Sequence, residues 1–215
     1  MINLIKSFYR SHRFGGSAGK MLLWIWVRKD MPKIRGELGI DLAGGTMGNI
    51  LFFSTKKYIC VDINQTDLNI GKKKNPNAVI INSRIQEFLQ DQHQQKPDLL
   101  VCFQTMGTNA KFEHEETIDV INSMYKFLKP GGSMIFNICW LKNINEVEKQ
   151  LSHFFDKKFK SVDCKFYGAL HTTPKKPIFG FIRFVLAYLM HILPPLRTFF
   201  GLKKERLYYF CQKKL

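Results

Sequence analysis

Short apolar runs recur along the chain at 38–42 (LGIDL), 58–62 (YICVD), 78–82 (AVIIN), 98–103 (DLLVCF) and 133–138 (SMIFNI), each continuous rather than alternating. A strand buried on both faces reads this way because neither side of its pleat meets water, so the pattern predicts a parallel sheet. Polar, helix-compatible segments lie between the runs at about 47–55, 65–72, 84–92, 115–128 and 144–156. Such alternation predicts an α/β three-layer sandwich with right-handed crossovers. Residues 160–167 (KSVDCKFY) and 205–213 (ERLYYFCQK) also read as strands, but what joins them, GALHTTPKKPIFGFIRFVLAYLMHILPPLRTFFGLKK, breaks the rhythm. Ahead of the first run, Gly15-Gly16 hinges a basic, aromatic stretch onto a helical GKMLLWIWVRK. The expected organisation is an N-terminal helical cap (1–36), a core (37–167 and 205–215) and a hydrophobic helical insertion (168–204).

That insertion has 13 uncharged residues between Arg183 and Arg197, and Pro194-Pro195 then breaks it. A bilayer-spanning helix needs about 20 apolar residues, so spanning is not expected. Its apolar residues cover every helical face, which leaves two readings. It folds over the core as a lid lining a greasy pocket, or it lies in a membrane interface with Lys175, Lys176, Lys203, Lys204 and Arg206 meeting anionic headgroups. The basic flanks favour the interface. The two tryptophans of LLWIWVRK would dock at the same surface, or the helix simply packs on the sheet.

Charge adds to this picture. Thirty-three Lys and Arg against 17 Asp and Glu give a net charge of +16, which suits a polyanionic neighbour, although a lysine coat also serves solubility alone. Cys60, Cys102, Cys139, Cys164 and Cys211 are odd in number, show no C-x-x-C spacing and all fall in strand-like runs. They read as small buried hydrophobes in a reducing, cytoplasmic compartment, and no metal site is expected. The opening MINLIKSFYRSHRFGGS is too polar for a signal peptide.

The candidate chemistry begins at GIDLAGGTMGN, residues 39–49, an apolar strand entering a glycine-rich turn. Counted from Ala43 it is A-x-G-x-x-G, one substitution from the dinucleotide fingerprint. Counted from Asp41 it is D-x-A-x-G-x-M, a variant of the D-x-G-x-G-x-G loop that cradles S-adenosylmethionine. A helix following the turn would aim backbone N–H groups at an anionic ligand. Asp62 closes the next strand, where a carboxylate accepts hydrogen bonds from both hydroxyls of a ribose in either cofactor. A nucleotide-type ligand is therefore expected, its identity open. Lys129-Pro130-Gly131-Gly132 then ends a helix and turns the chain tightly into the fifth strand.

Taken together, IDLAGGTMG, YICVDI, PDLLVCFQT and FLKPGGSMIF resemble the successive signatures of class I S-adenosylmethionine-dependent methyltransferases, over about 37–140 and weakly to the end. The resemblance implies a Rossmann-like, mostly parallel seven-stranded sheet with an antiparallel last strand, and S-adenosylmethionine as cofactor. It also implies roles. Asp41 and the backbone of Ala43, Gly44 and Gly45 would face the methionine end, with Gly45 at the centre of the turn. Asp62 would bind the ribose and Ile63 would pack on adenine. Ser83 stands where the family often has an aspartate for the adenine amino group, and Gln104 would look into the methyl-transfer site. Ala43 replaces a glycine and fits if its φ is negative; Met47 replaces another and would begin the following helix. FQTM in place of [DN]-P-P-[YF] disfavours methylation of base amines in DNA.

Methyl transfer from a sulfonium is an in-line displacement that needs a positioned acceptor and, for a hydroxyl, a base. His114, after the fourth strand, and His171, at the start of the insertion, are the candidate bases. The expected function is methylation, mainly on oxygen, of a small amphipathic or lipid-linked acceptor by a cytoplasmic protein peripheral to an anionic membrane. RNA methylation is an alternative favoured by charge, but no RNA-binding appendage is recognisable. A non-catalytic membrane-associated module on a degenerate scaffold is the other.

Overall fold

The computed structural model describes residues 18–91, 95–107, 114–139, 144–167 and 206–215, with isolated positions 182, 185, 186, 189 and 193. Helix α1 (Ala18–Asp30) and a 3-10 turn (Met31–Lys33) lead into β1 (Arg35–Leu42) and β2 (Ser54–Asp62). There follow α2 (Gln65–Lys74), β3 (Val79–Asn82), α3 (Ile85–Gln90), β4 (Leu99–Met106), α4 (His114–Phe127) and β5 (Ser133–Cys139). The last elements are α5 (Ile144–Lys158), β6 (Phe159–Tyr167) and β7 (Arg206–Lys213).

The seven strands form one sheet in the order β3-β2-β1-β4-β5-β7-β6. Pairings among β1 to β5 are parallel, whereas β7 runs antiparallel to both β5 and β6. This is the expected Rossmann-like sandwich. Continuous apolar runs arise because alternate residues enter two different cores. On β4, Leu100 and Cys102 join α3, α4 and α5, while Leu99, Val101 and Phe103 join α1. A third cluster joins Tyr58 and Cys60 of β2 to Leu68 of α2 and to Met47. All five cysteines lie in strands as free thiols.

Helix α1 belongs to the core. Leu22, Leu23, Trp26 and Val27 are buried against β4, β5 and β7, and each such side chain contributes about 1.5–3 kcal/mol. Its C-terminal Asp30, itself buried, accepts a 3.0 Å hydrogen bond from the Tyr208 hydroxyl and pairs with Lys33 and Lys165. The apolar face of LLWIW is thus spent on the sheet.

One expected helix is absent. Residues 47–55 form turns, a single 3-10 turn (Ile50–Phe52) and the start of β2. Met47 has φ of +62°, which no right-handed helix accepts, and the Asn49 side chain that would cap a helix is engaged elsewhere. The anion seat at a helix N-terminus expected here is therefore not built.

The LKPGG turn closes the end of the sheet where β1, β4 and β5 begin. Lys129 pairs with Asp98, whose Oδ2 accepts the Glu37 and Leu38 N–H groups at 2.8 and 2.9 Å. Burial pushes the Asp98 carboxyl up, but Lys129 and those amides outweigh it and hold it below its ordinary value. Gly36 gives the carboxylate its room, since a Cβ there would lie 2.3 Å from Asp98 Cγ.

Of the insertion, Val185 packs on the α1 core cluster. Ile182, Leu186, Leu189 and Leu193 are exposed, between 37% and 48%, and the Leu193 N–H donates to the Leu189 carbonyl in a helical turn. Among the described residues, no helix is long and apolar enough to cross a membrane.

Candidate active site

Strand order reverses between β1 and β4, and open α/β sheets take ligands at such a point, beyond the carboxyl ends of their strands. A cleft of about 280 Å³ lies there, lined by Ala43 after β1, Asp62 and Ile63 at the end of β2, Ser83 and Arg84 between β3 and α3, and Ile85 and Gln86 at the start of α3. Thr105 of β4 and Glu116 of α4 complete it. Ala43, Asp62, Ile63 and Ser83 were expected from sequence, and the fold brings them together from three strand ends.

Asp62 organises this end of the sheet. Its Oδ2 accepts the Gly45 N–H at 2.9 Å, its Oδ1 accepts the Asn64 N–H at 2.9 Å, and its backbone carbonyl accepts Ser83 N–H and Asn82 Nδ2. A carboxylate offers about four acceptor directions, so two remain for a ligand's hydroxyls. Beside it Ile63 is 54% exposed, an apolar shelf open to the cleft. The Ser83 hydroxyl donates to the Arg84 carbonyl, which leaves its lone pairs for the cleft.

Asp41 is placed differently from what its motif implies. It is fully buried under the loop, accepting both contacts of Asn49 Nδ2, at 3.0 and 3.1 Å, and the Tyr58 hydroxyl at 2.9 Å. Burial pushes its carboxyl up to about 7; the Asn49 and Tyr58 hydrogen bonds oppose this and the charge of Asp62 adds to it. The same low-polarity pocket pushes the Cys60 thiol up to about 12.

Among the described residues, three non-glycine positions have positive φ, and all lie at this end: Ala43 (+55°), Met47 (+62°) and Gln104 (+59°). Each costs about 1 kcal/mol or more, a strain that concentrates at functional sites. Ala43 therefore keeps the glycine-like conformation of the loop, contrary to the expected negative φ. Met47 anchors the loop: it is 1% exposed, and its side chain fills the space that a Cβ on Gly71 would take, 2.8 Å away. Gly45 is also left-handed, but the tightest position within the loop is Gly44, where a Cβ would lie 2.7 Å from Asp41 Oδ2 and Cys60 Sγ. Gly44→Ala is expected to cost about 2 kcal/mol, seen as a fall of about 4–8 °C in melting temperature. Ala43→Gly, which relieves the left-handed strain, is expected to cost nothing in the same thermal denaturation series.

Gln104 sits at a bulge where the β4–β5 register shifts, its side chain exposed. Its N–H donates to Asn137 Oδ1 at 2.8 Å, and Asn137 is fully buried between the strands. His114 provides the first backbone position of α4; its side chain, and all of His171, lie outside the described residues. Among the described residues no cluster of three metal-ligating side chains occurs. Sequence reasoning missed Arg84, Ile85, Gln86, Thr105 and Glu116. Thr105 directly follows Gln104, and Glu116 belongs to the acidic EHEET after the fourth strand, the only signals available.

No family model and no curated protein matches the sequence. Solved structures do. The plantazolicin methyltransferase BamL, in complex with a triazolic desmethylPZN analog and SAH, matches with a TM-score of 0.56 at 16% identity over 98% of this chain and 90% of that one. The N-methyltransferase NodS from Bradyrhizobium japonicum WM9 matches at 0.55 and 11% over 97% of both chains. An rRNA methylase from Streptococcus thermophilus matches at 0.52 and 12% over 87% and 94%. At such identities the likeness concerns architecture, and with the strand order and the cleft it establishes that the chain has the class I S-adenosylmethionine-dependent methyltransferase fold.

Proposed function

We propose that the protein is an S-adenosylmethionine-dependent methyltransferase. The observation that carries this reading is the pairing of Asp62, with two acceptor directions left, and the exposed Ile63 at the switch point of the sheet. Asp62 would take the ribose hydroxyls, Ile63 the adenine face, and the Ala43–Gly45 turn the start of the methionine chain. The cofactor supplies an electrophilic methyl on sulfur; the chain's part is to hold that methyl in line with an acceptor.

The acceptor we infer is small and amphipathic or lipid-linked, methylated on oxygen, and met at the cytoplasmic face of an anionic membrane. Supporting this, Ile182, Leu186, Leu189 and Leu193 expose apolar side chains in a segment whose sequence is flanked by Lys175, Lys176, Lys203 and Lys204. Arg206, expected to join those lysines at the headgroups, is instead buried at the start of β7. Cosedimentation with vesicles containing anionic lipid, but not with zwitterionic ones, is the expected result. Indifference to both would remove the membrane from the proposal.

Isothermal titration tests the cofactor. S-adenosylhomocysteine is expected to bind the wild type and NAD is not, while Asp62→Ala weakens binding about 100-fold, equivalent to about 2.7 kcal/mol. Because Asp62 also holds two backbone N–H groups, Asp62→Asn, which keeps one carbonyl oxygen, controls for loop collapse. A wild type that bound NAD and not S-adenosylhomocysteine would overturn the reading.

A further inference from the structure

The cleft has two ends, and their chemistry differs. Asp62 marks the middle, on β2; Ser83, Arg84 and Gln86 lie outward towards β3, Ala43 and Thr105 lie inward at β1 and β4, and Glu116 lines the cleft from the first turn of α4, the helix that follows β4. With ribose on Asp62 and adenine on the exposed Ile63, the methionine part and its charged sulfur extend over β1 and β4. Asp41, the acid its motif assigns to that end, is unavailable there, clamped beneath the loop by Asn49 and Tyr58. The Thr105 hydroxyl is turned back onto the Phe103 carbonyl at 2.9 Å. Asp62 and Glu116 are the two acids among the described lining residues, and only Glu116 comes from the element that follows β4.

Building on the proposed cofactor, we infer that the Glu116 carboxylate faces the cationic sulfonium and sets the preference of the site for S-adenosylmethionine over its neutral thioether product. A carboxylate near a sulfonium favours the charged ligand and does nothing for the uncharged one, so the product is released more readily than the substrate. An acid in the first turn of a helix that merely offset the helix dipole would alter stability without distinguishing the two ligands.

Titration of both ligands into wild type, Glu116→Gln and Glu116→Asp decides this. Glu116→Gln is expected to lose about fivefold in affinity for S-adenosylmethionine, the scale of a partly solvated ion pair, and to hold S-adenosylhomocysteine as the wild type does. Glu116→Asp is expected to recover part of the loss. Equal weakening of both ligands, or of neither, would overturn the inference while leaving the cofactor reading intact. Failure of the wild type to bind either ligand would instead defeat the cofactor reading itself.

Discussion

Gly107→Ala is expected to abolish or nearly abolish folding. Gly107 directly follows β4 with φ of +117°, and a Cβ placed on it would lie 1.6 Å from the Cys139 carbonyl oxygen at the end of β5. That is less than half the separation of an ordinary carbon–oxygen contact, and the obstacle is backbone in the paired core of the sheet. Both strands there are almost wholly buried, so they cannot yield without breaking ladder hydrogen bonds and opening the α4–α5 core. The positive φ adds strain of about 1 kcal/mol or more even where space exists. A loss of at least about 4 kcal/mol follows, a large part of the roughly 5–15 kcal/mol that a domain has to lose. Urea unfolding of whatever soluble protein is recovered measures it. A variant with wild-type midpoint would show that the two strand ends are not in this register.

Gly107 also shows what a sequence conceals. A lone glycine after a strand looks like any turn, and its partner lies 32 residues away across the sheet. The strands themselves were legible because burial on both faces leaves a continuous apolar run, and the antiparallel last strand of a seven-stranded sheet followed from the family resemblance. The failed helix at 47–55 had apolar residues at acceptable spacing. What excluded it was Met47 docking against Gly71 in a left-handed turn and Asn49 bonding Asp41, both contacts made between elements. In the cleft, Asp62, Ile63 and Ser83 were found because strand ends in this fold have fixed places. Glu116 was not, since nothing local in EHEET marks it as a residue lining the cleft. LKPGG was legible as a signature, yet its work is at the far end of the sheet, where Lys129 ties Asp98 to β1.

Stability is expected to fall as pH rises from about 4 to about 7, and Asp41→Asn is expected to remove that dependence. The sign follows from Asp41, whose carboxyl titrates near 3.8 in an unfolded chain and is pushed up to about 7 by burial in the folded one. A folded-state value above the unfolded one means that the native state holds the proton longer. Its contribution is therefore complete below about 4, declines as pH climbs through the window, and is gone above about 7. A rise from 3.8 to about 7 is about three units, and at 1.36 kcal/mol each the swing is about 4 kcal/mol. Asp98 works in the opposite sense, since its lowered value gives stability present above about 4 and lost as the pH falls further. The two effects thus occupy separate windows. Asparagine at position 41 keeps the shape, pairs with Tyr58 and with Asn49 after rotation of that amide, and carries no charge to desolvate. Urea unfolding at half-unit steps from pH 4 to 8 should give a falling curve for the wild type and a nearly level one for the variant, converging at the acid end. Parallel curves would mean that Asp41 is ionised throughout, and that water or a cation reaches it beneath the loop.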